Sequence, residues 1–145
     1  MRKLALVLAS FFGLGFVPYI PGTVASFAAM WFKLLPGYVF YPLLVAFAVI
    51  SVPVINSVLK DSDSDDPSYV VVDEVIGMMI TLSFLDKNIY MMIAGFLLFR
   101  LFDITKPWLV NKSQELPGAW GVIMDDVVAG LFANFFLQIF RVLFL

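Results

Sequence analysis

The chain has 145 residues, 62% of them hydrophobic, 17% aromatic and 14% charged, with a formal net charge of -2 and a mean hydropathy of +0.99. That much apolar surface exceeds what a soluble domain of this length can bury, so composition predicts an integral membrane protein. The lack of a basic run excludes a nucleic-acid partner, whose phosphates need clustered Lys and Arg, and the absence of Cys and His excludes disulfides, thiolate zinc sites and imidazole metal ligands.

The start, MRKLALVLASFFGLGF, imitates a signal peptide, yet no small-x-small cleavage site follows its apolar run, so it is read as part of the protein. Apolar segments then fall at about 4–20, 24–35, 38–59, 69–85, 88–105 and 125–145, with no internal repeat. Only the third and the last reach the ~20 residues that cross a bilayer untilted; the shorter ones suit half-spans or helices sheltered within a bundle. The expected fold is all-α: one domain over 1–145, a polytopic membrane helix bundle of about four to five spanning or half-spanning helices, with a charged site at one membrane face. Two stretches are polar, KDSDSDDPS and KPWLVNKSQELPGAWG, whereas LLPGYV and LDKNIY read as tight turns.

Threading these segments up and down places 20–26, 60–74 and 100–125 on one face. That face collects Asp73, Glu74, Arg100, Asp103, Lys106, Asp125 and Asp126, and the other keeps Lys33, Asp86, Lys87 and Arg141. The positive-inside rule does not separate the faces, because Lys60, Lys106 and Lys112 are balanced by Lys33, Lys87 and Arg141.

Four short stretches carry the chemistry. In YIPGTVASF, Pro21 and Gly22 turn the chain and Thr23 can cap the next helix, whose free N–H groups form an anion site. In VVVDEVIGMM, Asp73 and Glu74 open an apolar helix; either is a plain helix-start carboxylate or one faces the bundle while its neighbour caps. In FRLFDITKPW, residues three apart are offset by roughly 60°, so Arg100, Asp103 and Lys106 share a helix face that Pro107 terminates. A pair of C-terminal capping cations with one carboxylate between them is the bland alternative. In GVIMDDVVAG, Asp125 and Asp126 precede the final helix as the earlier pair precedes its own. Carboxylates converging without His or Cys suit a hard divalent cation such as magnesium, and the adjacent Lys and Arg suit a phosphate. The metal ligands expected are Asp73 or Glu74, Asp103, and Asp125 or Asp126. By contrast the run DSDSDD, despite a D-x-D at Asp61 and Asp63, reads as solvated acid, and as a calcium loop it lacks the required glycine at Asp66 and the closing glutamate at Val72. The Met-rich GMMI and YMMIAGF read as helix packing.

IPGTVAS, VVVDEVIGM, FRLFDITKPW and GVIMDDVVAG, in that order and spacing, resemble the phosphatidylglycerophosphatase A family, over about Phe12 to Leu131. The resemblance implies a magnesium-dependent lipid phosphatase of the bacterial inner membrane, multi-pass, with its site at the cytoplasmic face. It would remove the terminal phosphate of phosphatidylglycerophosphate to leave phosphatidylglycerol. The chain departs from the family at Ala25-Ser26, where Gly-Ser is common, at Leu109, where a second proline is common, and at Gly118-Ala119, where Gly-Gly is common. Transferred to this chain, Asp103, Lys106, Arg100, Asp126 and Glu74 act in catalysis. Thr23, Gly22, Ser26, Arg100 and Lys106 hold the substrate; Asp73, Glu74, Asp103, Asp125 and Asp126 hold magnesium. Water is the expected nucleophile, with an aspartyl-phosphate intermediate as the alternative. The rival class, a small transporter or ion-binding scaffold, predicts charges spread through the membrane depth rather than crowded at one face.

Overall fold

The computed structural model describes residues 2–145. Among them the regular structure is helical throughout: α1 (Arg2–Ala9), α2 (Pro21–Met30), α3 (Gly37–Leu59), α4 (Val72–Thr81), α5 (Ile89–Thr105), α6 (Trp108–Ser113) and α7 (Ala119–Phe144), with 3-10 turns at Leu14–Phe16 and Trp31–Leu34. Two helices, α3 and α7, are long and apolar enough to cross a membrane, at ~35 and ~39 Å by the rise of 1.5 Å per residue.

Several boundaries differ from the sequence expectation, each for a local reason. The 4–20 segment is not one helix: α1 stops at Ala9, where the Ser10 hydroxyl takes the Gly13 N–H at 3.1 Å and the chain turns through positive φ at Phe11, Phe12 and Gly13. A hydroxyl offering the backbone a local partner competes with helix continuation. At the other end, α7 begins six residues before 125. Asn56 of α3 accepts the Ala119 N–H at 3.0 Å and so caps α7 from a neighbouring helix. Asp125 and Asp126 therefore sit in its second turn rather than before it. The stretch 106–121, expected to be polar loop, contains the short α6.

At ~15 Å, α4 is too short to span, and eight of its ten residues are buried. It lies among α2, α3, α5 and α7, touching α7 most extensively. Met78, Met79, Met91 and Met92 all belong to the buried apolar cluster around it. A helix that ends inside a bundle leaves orphan carbonyls, and α7 meets them with a stripe of polar side chains on its otherwise apolar C-terminal half. Asn134 Nδ2 donates to Thr81 O at 2.9 Å and Ser83 O at 2.7 Å. One and two turns further on, Gln138 reaches Ser83 O at 3.5 Å and Arg141 reaches Phe84 O at 2.9 Å.

The α4–α7 crossing is close because glycine faces glycine. A Cβ on Gly130 would stand 2.5 Å from the Gly77 carbonyl oxygen, and one on Gly77 would stand 2.8 Å from that of Asp126. Backbone cannot move aside as a side-chain tip can, so Gly130→Ala must spread the two helices despite alanine's better helix propensity. We expect it to lower the thermal midpoint in detergent, at a cost of about 1–3 kcal/mol typical of overpacking. Gly37→Ala, whose added methyl would find Tyr41 at 3.7 Å, should leave the midpoint essentially unchanged. A Gly130→Ala protein as stable as the wild type would refute the close approach.

Candidate active site

Five pieces of chain meet around a cavity of about 430 Å³. They are the first turn of α2, the loop before α4, the first turn of α4, the end of α5 and the second turn of α7. The start of α4 is tied down by the Val71 N–H, which donates to the Ala9 carbonyl at 2.9 Å. The cavity wall carries Asp66, Asp73, Glu74, Arg100, Asp103, Lys106, Asp125 and Asp126 together with Gly22 and Thr23.

The expected site residues thus converge, with one outside the wall. Ser26 does not line the cavity: its hydroxyl donates to the Gly22 carbonyl at 2.7 Å, one turn below. Thr23 lines it but does not cap, because α2 starts at Pro21, with Ile20 as a cap residue that offers no side-chain acceptor. Proline's fixed φ suits the first helical position, and the N–H groups of Gly22 and Thr23 are left without intrahelical acceptors, directed at the cavity end of the helix. Glycine at 22 leaves room for the site: an added Cβ would displace the Glu74 carboxylate and stand 3.3 Å from Arg100 Nη1.

Arg100 pairs with Asp103 on α5 as the spacing predicts. Lys106 does not share that face. It takes the left-handed conformation at the helix C-terminus, φ 45°, which is strained for a residue with a Cβ. Its ammonium instead crosses to Asp125 Oδ2 on α7 at 2.7 Å. The same oxygen receives Gln114 Nε2 at 3.1 Å, and Asp125 Oδ1 accepts the Asp126 N–H at 3.0 Å. Burial works to lower the Lys106 pKa, but the hydrogen bond and charge of Asp125, aided by Asp103 and Asp126, outweigh it and hold the ammonium above the ordinary lysine value.

Both members of each acidic pair line the cavity, where helix spacing alone would have allowed one of each to turn elsewhere. They differ in how they are used. Asp125 has partners on both oxygens, whereas Asp73 Oδ1, Glu74 Oε2, Asp126 Oδ1 and also Arg100 Nε are buried without any hydrogen-bond partner. A buried polar atom left unpaired costs about 1–3 kcal/mol, more when charged, so three orphan carboxylate oxygens in one cavity mark a place where a ligand completes the set. Their arrangement forms two overlapping groups, Asp73 with Glu74 and Asp126, and Asp103 with Asp125 and Asp126. Within each group one oxygen per residue lies within 4.8 Å of the others. Asp126 belongs to both.

Sequence reasoning missed Asp66 and Gln114. Asp66 was set aside with its acidic run, but it stands on the cavity wall because Pro67 and the start of α4 follow at once. Gln114 carries no sequence signal; only the fold of α6 against α7 brings it to Asp125. Asp66 is exposed at the cavity mouth, where partial desolvation on its cavity side, then the negative charge of Asp125, raises its pKa above the usual aspartate value, against the lowering effect of Lys106. A raised folded pKa means that folding is opposed by ionisation of Asp66 and favoured as the pH falls toward the unfolded value. Asp66→Asn should therefore raise the thermal midpoint at neutral pH, though only slightly because solvent screens an exposed carboxylate, and the gain should vanish below the ordinary aspartate range, where both states are protonated. A gain that persists unchanged in acid would contradict this origin.

Comparison with known proteins bears on what this cavity is for. The family described as Phosphatidylglycerophosphatase A matches residues 7–141. A Phosphatidylglycerophosphatase A of Escherichia coli is 37% identical, covering 86% of this chain and 76% of that one. One of Haemophilus influenzae is 29% identical over 92% and 89% of the two chains. A Bacteroides thetaiotaomicron protein named "Putative phosphatidylinositol-3-phosphatase" is 35% identical over 95% and 94%. No solved structure matches significantly. With the family covering nearly the whole chain, and the four motif stretches that carry the resemblance all delivering residues to one cavity, the chain is a phosphatase of the phosphatidylglycerophosphatase A family.

Proposed function

We propose that this protein is a magnesium-dependent phosphatidylglycerophosphatase, which hydrolyses the terminal phosphate monoester of phosphatidylglycerophosphate to phosphatidylglycerol and inorganic phosphate in phospholipid synthesis. It works as a single catalytic unit in the bacterial inner membrane, with the cavity at the cytoplasmic face. α3, α5 and α7 cross the bilayer and α4 enters it as a half-span. The observation that carries the reading is the convergence of six carboxylates and two cations, from four separate parts of the chain, on one end of an apolar helical bundle. A transport pathway would distribute such groups through the membrane depth.

The donor set fits magnesium: it is all oxygen, it has orphaned buried carboxylate atoms, and it has two three-carboxylate groups that share Asp126. When bound, magnesium supplies charge neutralisation at the phosphoryl oxygens and a more acidic water. Asp126, Asp73 and Glu74, with orphan oxygens, are the ligands we assign first, joined by Asp103. Asp125 acts chiefly through Lys106, which it holds over the cavity. Arg100 and Lys106 offset the negative charge that builds on the transferring phosphoryl group. The free N–H groups of Gly22 and Thr23 orient it at the positive end of α2. Ser26, one turn deeper, keeps the Gly22 carbonyl engaged. The glycerol oxygen leaves in line opposite the attacking water; Glu74, where off the metal, would take one proton of that water, and this proton returns through solvent to the departing glycerol oxygen, giving the alcohol and inorganic phosphate.

The name of the Bacteroides relative supports a second reading, in which the same phosphomonoester chemistry serves an inositol lipid. Phosphate release from phosphatidylglycerophosphate and from phosphatidylinositol 3-phosphate, by purified protein with magnesium or with chelator, separates the two. We expect metal-dependent release that favours the glycerol lipid, with Asp126→Asn and Lys106→Ala each losing about 100-fold or more in kcat, the scale of a lost charge-stabilising group. Preference for the inositol lipid would transfer the assignment to that substrate. No turnover of either lipid by folded protein would sink the phosphatase assignment for both.

A further inference from the structure

The charged cavity accounts for a headgroup, but a lipid also has acyl chains, and the wall of the cavity is not polar all round. Ile20 and Ile104 line it while remaining 54% and 68% exposed on the outside of the bundle. They stand at the junction of α2 and α5. On α5, positions 93, 97, 100 and 104 recur every three or four residues and so form one strip, in which Ile93, Leu97 and Ile104 are exposed and Arg100 turns toward the cavity. On α2 and its cap residue, Ile20, Thr23 and Phe27 form the matching strip. Phe27 is half exposed, and its ring meets Phe96 of α5 edge-on at 5.9 Å, closing the floor between the two helices.

We propose that this α2–α5 seam is the acyl-chain site of the lipid whose phosphate occupies the cavity, and that the substrate enters sideways from the bilayer between Ile20 and Ile104. The inference rests on the lipid-phosphatase reading and adds to it where the chain lies. From Ile104 to Ile93 the strip runs ~16 Å, matching the ~15 Å depth of one leaflet's hydrocarbon. Continuity selects the seam over a roomier competitor. An apolar groove of about 660 Å³ lies between α3, α4 and α7, but none of its lining residues reaches the charged cavity. A chain in that groove could not belong to a lipid whose phosphate is in the site without crossing the packed α4–α7 contact. Within the seam the gain is one of orientation rather than of hydrophobic transfer, because the chain leaves lipid to enter it.

Two measurements test the proposal. The first uses a phosphatidic acid with a diazirine on one acyl chain, photolysed with the whole protein in lipid nanodiscs and mapped by mass spectrometry. We expect adducts on Phe27, Leu97 and their neighbours that excess unlabelled phosphatidic acid suppresses and excess phosphatidylcholine does not. Adducts centred on Val45, Val49 and Trp120, or adducts indifferent to competition, would overturn the seam. The second is kinetic: Leu97→Trp should raise KM several-fold for a long-chain phosphomonoester lipid and leave kcat/KM for a soluble phosphomonoester unchanged. Val142→Trp, far down α7, should alter neither. An equal effect of Leu97→Trp on both substrates, or none on the lipid, would overturn the seam. Photolabelling reads occupancy without turnover, so loss of the hydrolase reading and loss of the seam are separate results.

Discussion

Everything in the site depends on the contact between Gly77 and Gly130. Each glycine lies about one helical turn past an acidic pair, Asp73-Glu74 on α4 and Asp125-Asp126 on α7. Where the two backbones touch, the turns that precede them are forced together. That is how four carboxylates on separate helices come to share one cavity. Larger residues at the crossing would hold the helices at an ordinary interaxial distance of 8–10 Å or more, and the two carboxylate groups that overlap at Asp126 would separate. Phe99, fully buried against Gly77, brings α5 and its Arg100 and Asp103 to the same crossing.

Such proximity is electrostatically unfavourable without compensation. Six carboxylates face two cations, and like charges removed from water repel strongly. The protein meets this in two ways. Arg100 and Lys106 each engage one carboxylate directly, Asp103 and Asp125, while Asp73, Glu74 and Asp126 keep oxygens unpaired. Partnered and unpartnered acids thus divide the labour: the first set positions the cations, and the second leaves an excess of negative charge that a hard cation would neutralise. Where Pro107 ends α5, Lys106 takes a strained left-handed backbone, and from there its ammonium reaches Asp125.

The half-length α4 poses the opposite problem at its far end, where carbonyls finish within the bundle. Asn134, Gln138 and Arg141 answer it from α7, so α7 holds α4 at both ends, by the glycine contact near the cavity and by side-chain donors at the other. Asn56 of α3 in turn caps α7. These polar contacts are sparse, but in an apolar surrounding each one removes an unsatisfied group, and together they fix the depth and rotation of the helix that carries Asp73 and Glu74.

Much of this protein is readable from residue order alone. Composition, apolar segment lengths and the lack of Cys and His lead to an all-helical, membrane-suited chain with oxygen-only chemistry, because these depend on counts and short-range spacing. The same holds for the pairing of Arg100 with Asp103, which a three-residue interval dictates. What depended on distant parts of the chain was not readable. That Lys106 leaves the helix follows from Pro107 beside it, but that its ammonium meets Asp125, nineteen residues on, was not readable; α7 began early because a side chain on α3 capped it. Asp66 lines the cavity from the loop before α4, and a glycine crossing brings the two acidic pairs, each visible in the sequence, to the same space. Local spacing sets which way a side chain leaves its own helix, whereas tertiary packing decides which other helix it meets, and a catalytic cavity is made of such meetings.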